Sequence, residues 1–244
     1  GVIIGGFYRI YYKIMQKKFK FYVKEVVFEN SDVFTLKLKS NKKFNFKAGQ
    51  FCFLRLNKNK LYARHPFTIS SSPDEETINF TMKIIGKFTK TASQLKEGEE
   101  VIVEGPFGVF TVEDDKKDLI FIAGGVGITP FRSIIKDRLN LGKNQNITLI
   151  YAAKTKQDII FKKEFDKLNN VFFKKIYVLS KENEISKEWK NGYINDEIIK
   201  NNVTDFENSL FYICGPEGMK DSVIKILKNI GVKKENIKIE SFFW

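Results

Sequence analysis

Two glycine-rich segments, residues 124–130 (GGVGITP) and 214–219 (CGPEGM), have the composition of phosphate-binding turns. Each follows an apolar run and precedes a segment with helical periodicity, so each is predicted to join a buried parallel strand to a helix. At such a junction backbone N–H groups and the positive helix end face an anion, and Gly125 and Gly127 let the chain approach a pyrophosphate without a Cβ. Pro130 stands where the common dinucleotide fingerprint has its third glycine. A tight turn without a ligand is the alternative interpretation.

The second segment places a thiol at the predicted carboxyl end of a strand. Gly215 allows the sharp turn after Cys214, and Pro216 is predicted to start the next helix. A small polarizable thiol at this position could pack beside a nicotinamide ring. A buried structural cysteine is equally consistent with the sequence.

Residues 65–71 (HPFTISS) carry the side-chain types that a flavin requires. Phe67 offers an aromatic wall, Thr68 a hydroxyl near the reactive N5, and His65 a donor for a phosphate. Residues 86–93 (GKFTKTAS) add a glycine, hydroxyls and a predicted helix start, which suit a second phosphate contact. The alternative is that Phe67 belongs to the core and His65 to the surface.

The sequence ends in residues 240–244 (ESFFW), which are rich in aromatic side chains. Three exposed aromatic residues would be unusual at a solvated end. A final strand could carry Phe242 towards the flavin and let it stack there, or the aromatic residues could pack on the sheet. The sequence does not decide among Phe242, Phe243 and Trp244 as the stacking residue.

The first half of the chain shows the alternation of short strands, with Phe34, Leu36 and Leu38 on one face. One helix is predicted to interrupt the strands at residues 91–96. Many short antiparallel strands at this spacing predict a small closed barrel. The predicted strands cover residues 19–29, 32–40, 50–57, 66–70, 77–84 and 100–104.

The second half alternates strands and helices, which predicts a parallel α/β sheet. Thr129 is predicted to cap a helix that has Pro130 at its first position and that Gly142 ends, and Gly231 is predicted to end a later helix. The predicted domains are a membrane-proximal segment (1–18), a barrel (19–114) and an α/β domain (115–244). The predicted strands cover residues 119–123, 146–153, 172–179, 210–214 and 238–242, with helices at 130–139, 160–168 and 216–230.

Composition excludes several classes of site. The chain of 244 residues has two cysteines and one histidine, which excludes a four-cysteine iron–sulfur cluster and a Ser-His-Asp triad and argues against zinc; no metal site is expected. Two distant cysteines favour reduced thiols. The net charge of +13 indicates a solvated lysine surface or attraction to an acidic partner or lipid; nucleic acid is not expected.

The apolar and aromatic residues 2–15 are too few to span a bilayer, and several basic residues accompany and follow them. This pattern is typical of the cytoplasmic end of a membrane helix. An amphipathic lead-in that packs on its own domain is the alternative.

These motifs, in this order over residues 19–244, resemble the ferredoxin–NADP reductase superfamily. The His-Pro-Phe-Thr form of residues 65–68 is closer to the ferric reductase and NADPH oxidase branch than to soluble plant-type reductases. The resemblance implies an antiparallel Greek-key β-barrel that binds FAD, followed by an α/β parallel-sheet domain that binds NADPH or NADH. It assigns catalytic roles to Thr68, Cys214 and Phe242, and cofactor contacts to His65, Pro66, Phe67, Thr68, Lys83, Gly86, Lys87, Thr89, Gly124, Gly125, Gly127, Thr129, Cys214, Gly215, Pro216, Glu240 and Phe242.

The resemblance also implies the reaction. A hydride passes from nicotinamide to flavin, and single electrons then pass to an acceptor. In the oxidase branch the acceptor is a haem in a transmembrane domain of the same polypeptide, which places this chain at the cytoplasmic face of the cell membrane. A soluble ferredoxin or flavodoxin reductase is the alternative enzyme, and a nucleotide-sensing module is the non-enzymatic alternative. Lysines at 154 and 156 weakly favour NADPH over NADH.

Overall fold

The first half of the chain forms an antiparallel sheet of six strands. The computed structural model describes residues 18–56, 63–113, 116–183 and 186–241. The strands are β1 (Lys18–Phe28), β2 (Val33–Lys39), β3 (Phe51–Leu56), β4 (His65–Thr68), β5 (Ile78–Lys83) and β6 (Glu100–Phe107). Their order in the sheet is β4-β3-β6-β1-β2-β5. An isolated antiparallel bridge between Ile69 and Phe80 joins the two edges, so the sheet curls on itself, which confirms the predicted antiparallel barrel.

The barrel encloses an apolar core to which Phe34, Leu36 and Leu38 contribute fully buried side chains. A short helix, α1 (Lys87–Ala92), packs Phe88 against this core. The prediction of a helix at 91–96 was wrong by one turn. The helix starts earlier because the Thr89 hydroxyl accepts the N–H groups of Ile85 and Gly86 at 3.0 and 3.2 Å, which caps its first turn.

The second half forms a parallel sheet of six strands, which confirms the predicted α/β architecture. The strands are β7 (Asp118–Gly124), β8 (Ile147–Ala153), β9 (Phe173–Leu179), β10 (Trp189–Asn191), β11 (Ser209–Cys214) and β12 (Ile237–Glu240). Their order in the sheet is β10-β9-β8-β7-β11-β12, and helices cover both faces, as the near-continuous apolar strands require. The α-helices are α2 (Thr129–Asn140), α3 (Lys162–Lys167), α4 (Asp196–Lys200) and α5 (Glu217–Ile230), with 3-10 turns at Gly125–Ile128, Lys156–Asp158 and Lys234–Asn236.

In the second half, some details differ from the sequence-based prediction and one agrees with it. Strand β10 and helix α4 were not predicted, because each is too short to show a period. Thr129 does not cap α2: a 3-10 turn precedes the helix, and the Thr129 hydroxyl donates to the carbonyl of Val126 at 3.0 Å. The end of α5 is as predicted, with Gly231 in the left-handed conformation at φ 96°.

The two halves share part of one core. Val33, Ala48 and Phe110 pack into the same apolar cluster as the inner face of β7 and helix α2. The Tyr212 hydroxyl donates to the carbonyl of Thr111 at 3.0 Å across the same boundary. The barrel and the α/β unit therefore make direct contact.

Some predictions fall on residues that the structure does not describe. The segment 1–17, the predicted boundary at 114 and 115 and the aromatic residues 242–244 lie outside the described residues. Within the described ranges, no helix is both long and apolar enough to cross a membrane.

Candidate functional site

The two glycine-rich turns lie against each other, because β7 and β11 are neighbours in the sheet and Cys214 pairs with Ala123. A Cβ on Gly127 would lie 2.3 Å from the carbonyl oxygen of Cys214, far inside van der Waals contact. A Cβ on Gly124 would lie 2.7 Å from the Met219 sulfur. The sequence predicted Gly127 for close approach to a ligand and Gly124 as a cofactor contact, and the structure shows a further reason for both glycines, the packing of one turn on the other.

Gly125 is the glycine of the first turn that faces open space. It is exposed, its φ is 54°, and a Cβ there would meet no atom within 4 Å. The space beside the start of the 3-10 turn that leads into α2 is therefore open to a ligand, while the Gly125 carbonyl accepts the Tyr151 hydroxyl at 3.0 Å.

A cleft separates the barrel from the α/β unit beside these turns. It holds about 720 Å³ of space, part of it open to solvent. Most of the surface is apolar, with hydroxyl groups, one lysine and one carboxylate at its walls, the composition expected of a small-molecule site. The lining residues are Phe51, Pro66, Phe67, Thr68, Thr81, Met82, Lys83, Val126, Thr129, Glu240 and Ser241.

The cleft brings together predicted residues from distant parts of the chain. Pro66, Phe67, Thr68 and Lys83 come from the barrel, whereas Thr129 begins helix α2 and Glu240 ends strand β12 of the α/β unit. Val126, between Gly125 and Gly127, also lines the cleft, so the first glycine turn borders it.

Phe67 and His65 both pack on Phe88 of helix α1. The Phe67 and Phe88 rings stack with centroids 5.5 Å apart, and the His65 ring lies 4.2 Å from Phe88. Burial lowers the pKa of His65, which favours the neutral ring. These contacts place the strand of the His-Pro-Phe-Thr motif next to the segment that starts at Gly86.

In the second predicted phosphate-binding segment, residues 86–93, some groups are exposed and the Thr89 hydroxyl is hydrogen-bonded within its own turn. Gly86 and Lys87 are exposed, and Lys87 can reach solvent or an anion. The Thr89 hydroxyl accepts two backbone N–H groups of its own turn and donates to the carbonyl of Gly86 at 3.1 Å. The Thr89 side chain thus caps the first turn of α1.

Cys214 and Glu240 are paired on neighbouring strands, but only Glu240 lines the cleft. Cys214 is fully buried, and burial, reinforced by the Glu240 charge, raises the pKa of its thiol. Burial also raises the pKa of Glu240, opposed by the Ser241 N–H and by the charge of Lys220. Gly215 and Pro216 follow at the turn, and Phe242 lies outside the described residues.

Sequence reasoning did not single out five of the lining residues. Phe51 is the antiparallel partner of Thr68, and Thr81 and Met82 lie on the edge strand that closes the barrel. The pairing of strands places them, and no local pattern marks them. Val126 and Ser241 are each adjacent to a predicted residue, so their positions in the motifs were the signal that could have found them.

Arg132 holds the two walls of the cleft together. From helix α2 its guanidinium donates to the Ser70 carbonyl at 2.6 Å and to the carboxylates of Glu75 at 3.0 Å and Glu164 at 2.9 Å. The next residue, Ser133, donates to the carbonyl of Ser71 at 2.6 Å. The strand that carries Thr68 is thereby tied to the helix that follows the first glycine turn.

The residues of the cleft fit a flavin and a nicotinamide dinucleotide. Apolar side chains from Phe51, Pro66 and Phe67 suit a flat ring, and the open space beside Gly125, at the start of the turn into α2, suits a phosphate. Among the described residues, no group of three or more His, Cys, Asp or Glu side chains is placed to hold a metal ion.

Comparison with known proteins agrees with this geometry. Residues 18–111 match the FAD-binding domain family, and residues 121–225 match the oxidoreductase NAD-binding domain family. The F subunit of the Na⁺-translocating NADH-quinone reductase of Neisseria meningitidis is 34% identical over 164 residues, which are 64% of this chain and 40% of that protein. Its counterpart from Yersinia pestis is 34% identical over 155 residues, 61% of this chain and 38% of that protein. The chain thus matches about two fifths of the length of these relatives.

Solved structures share the fold. A ferredoxin NADP⁺ reductase from Neisseria gonorrhoeae, with bound FAD and NADP, superposes with a TM-score of 0.81 at 21% identity, covering 93% of this chain and 99% of that one. A flavohemoglobin from Malassezia yamatoensis gives a TM-score of 0.80 at 19% identity, covering 93% of this chain and 60% of that one. From the two family matches and this shared architecture, we conclude that the chain belongs to the ferredoxin–NADP reductase superfamily and comprises its FAD-binding and NAD(P)-binding domains.

Proposed function

We propose that this chain oxidises NAD(P)H with bound FAD and delivers the electrons singly to an acceptor. The observation that carries the proposal is the cleft itself. One wall is the strand of the His-Pro-Phe-Thr motif, and the other is formed by Val126, Thr129 and Glu240 at the ends of the parallel strands. A flavin on the first wall and a nicotinamide on the second would meet face to face.

The chain contributes alignment and electrostatics. Phe67 and Pro66 provide the wall for a ring, Thr68 a hydroxyl for its edge, and His65, Lys83, Gly86, Lys87 and Thr89 the surroundings of its phosphate chain. Gly124, Gly125, Gly127 and Thr129 form the proposed site for the dinucleotide phosphates, and Cys214, Gly215, Pro216 and Glu240 the surroundings of the nicotinamide. Phe242 is proposed to cover the ring face that the nicotinamide must reach. Bound together, the two cofactors supply hydride transfer and then one-electron chemistry.

The test is NAD(P)H oxidation by the purified chain with FAD and ferricyanide. Thr68→Ala should lower kcat with little change in flavin affinity, because the hydroxyl is one group in a large contact area. Thr77→Ala, a hydroxyl outside the cleft, is the matched control. Bound FAD without nucleotide oxidation would contradict the proposal and favour a nucleotide-sensing module.

For the acceptor we propose a haem in a transmembrane domain of the same polypeptide, as in ferric reductases and NADPH oxidases. The His-Pro-Phe-Thr form of residues 65–68 supports this branch. With such an acceptor, the chain is proposed to lie at the cytoplasmic face of the cell membrane. Full-length protein in detergent should show haem reduction on addition of NADPH, with the same dependence on Thr68 as ferricyanide reduction. Turnover with ferricyanide and no haem in the full-length protein would exclude this acceptor.

A second candidate acceptor system is suggested by the relatives that belong to a Na⁺-translocating NADH-quinone reductase. This candidate requires NADH, and the haem candidate is proposed to use NADPH. Lys154 and Lys156 follow β8 and favour a 2′-phosphate, although the Lys156 ammonium also lies 5.1 Å from the Trp189 ring. The ratio of kcat/KM for NADPH and NADH decides between them. A strong preference for NADH with quinone reduction in membranes would favour the quinone reductase, and reduction of a soluble ferredoxin or flavodoxin would favour a soluble reductase.

A further inference from the structure

Lys220 is a buried lysine in the first turn of helix α5. Only 2% of its surface is exposed, and lysine is rarely buried to this degree without partners. The N-terminal turn of a helix also carries partial positive charge, which disfavours a cation there. A lysine at this position therefore needs compensating contacts.

Its ammonium group makes two short hydrogen bonds. Lys220 Nζ donates to Glu217 Oε1 at 2.6 Å and to Ser241 Oγ at 2.6 Å. The Glu217 side chain is 74% exposed, whereas Ser241 lines the cleft directly after β12. The bond to Ser241 thus connects the helix of the second glycine turn to the end of the last strand.

The same connection reaches Glu240. The Ser241 N–H donates to Glu240 Oε1 at 3.2 Å, and Glu240 pairs with Cys214 across the two strands. The Lys220 charge favours the ionised form of Glu240, whose burial acts in the opposite direction. The charged group of α5 that acts on Glu240 is Lys220, which also binds Glu217. The Cys214 thiol lies on the neighbouring strand β11, and Lys83 lines the same cleft from the barrel.

We propose that Lys220 is a positioning residue: through Ser241 it fixes the end of β12 against the second glycine turn and so holds the Glu240 carboxylate at the wall of the cleft. The role rests on the proposed function, because Glu240 is placed beside the nicotinamide there. Lys220 itself does not line the cleft, and it acts through its two neighbours.

The test compares Lys220→Met with Lys220→Arg and with the control Lys225→Met, an exposed lysine on the same helix. The first readout is the titration of the Glu240 carboxyl by ¹³C NMR in the protein without cofactors, with Glu240→Gln to identify the signal. We expect an upward shift of the Glu240 pKa in Lys220→Met, because the favourable charge is lost, and the wild-type value in Lys220→Arg and Lys225→Met.

The second readout is the split between kcat and KM in the FAD-loaded protein. Lys220→Met should lower kcat about tenfold with KM for the nucleotide changed less than about twofold, because a misplaced group affects the transition state more than binding. Lys220→Arg should recover part of the loss. An unchanged Glu240 titration together with an unchanged kcat in folded Lys220→Met would overturn the proposal.

Ser241→Ala keeps the test decisive if Lys220→Met does not fold. It removes the acceptor and leaves the buried cation in place, so we expect the loss of kcat with a smaller change in the Glu240 pKa. Wild-type kcat in Ser241→Ala would refute the positioning role. The NMR titration needs no turnover, so a wild-type chain that fails to oxidise NAD(P)H refutes the proposed function while the contact between Lys220 and Glu240 is still measured.

Discussion

Replacement of Arg132 by methionine should loosen the contact between the barrel and the α/β unit. Arg132 is 8% exposed and contacts Ser70, Glu75 and Glu164. Burial would lower the pKa of Arg132, but the charges of Glu164 and Glu75 raise it, so the guanidinium is firmly charged. Methionine keeps most of the aliphatic volume and removes the charge and the donors.

The expected loss in the free energy of unfolding follows from the two carboxylates, Glu75 and Glu164, that lose their partner. Removal of one partner of a buried ion pair typically costs about 3–5 kcal/mol, because the other charge loses its compensation. Here the two carboxylates are 20% and 28% exposed, and the Lys136 ammonium lies 3.4 and 3.3 Å from them. We therefore expect a loss in the free energy of unfolding at the lower end of this range, about 3 kcal/mol, which corresponds to a decrease in Tm of about 6–12 °C for a chain of this size.

The assay is thermal unfolding by circular dichroism at neutral pH, repeated at acidic pH. Burial would raise the pKa of Glu75, but Arg132, the Ser72 N–H and Lys136 together lower it from the ordinary value of 4.5. A lowered pKa means stabilisation that is present above that ordinary value and is lost as the pH falls through the folded-state value. The difference between wild type and Arg132→Met should therefore shrink in acid.

Lys136→Met is the matched control. It touches the same two carboxylates but is 25% exposed and makes no bond to Ser70, so we expect a cost below about 1 kcal/mol. The reasoning is refuted if Arg132→Met unfolds within 2 °C of wild type, a margin of about 1 kcal/mol or less, or if Lys136→Met is as destabilising.

Three further predictions concern single residues. Gly127→Ala should destabilise the chain by about 3 kcal/mol through overpacking, whereas Gly218→Ala, with no atom within 4 Å of its Cβ, should be neutral or stabilising by up to about 1 kcal/mol; urea unfolding separates them. Phe67→Ala should weaken FAD binding about tenfold in a fluorescence titration, and an equal loss in Phe28→Ala, whose ring is 56% exposed, would contradict the assignment of Phe67. Burial raises the pKa of Glu29, so its ionisation costs stability as the pH rises above 4.5; Glu29→Gln should gain stability over wild type at neutral pH and lose that gain in acid, as chemical denaturation across pH would show.

Local patterns in the sequence were sufficient for the architecture. Alternation at Phe34, Leu36 and Leu38 and apolar runs before each glycine turn are properties of neighbouring residues, so they predicted the two kinds of sheet. The predicted helix boundaries were less accurate than the predicted architecture where a capping residue determines the first turn. Capping by Thr89 makes α1 begin one turn earlier than predicted, and the 3-10 turn before α2 means that Thr129 is not the capping residue of that helix.

The motifs themselves were also readable, because their residue types and spacing are local. The sequence predicted that 65–68, 124–130, 214–219 and 240 belong to one site. The structure added that three side chains of these segments line the cleft from the barrel (Pro66, Phe67 and Thr68) and three from the α/β unit (Val126, Thr129 and Glu240). It also showed that Cys214 is enclosed in the core, which the sequence had left open beside the alternative of a ligand contact.

Only the tertiary structure determined the contacts between residues that are distant in sequence. The sequence by itself determined the alternation of elements and the placement of glycines at turns, since both depend on short-range sterics and periodicity. Packing of Gly127 on Cys214, the bonds of Arg132 to Ser70 and Glu75 and the burial of Lys220 depend on which strands are neighbours. No local signal encodes that order, because the free energy of burial comes from the whole assembled sheet and not from any one segment.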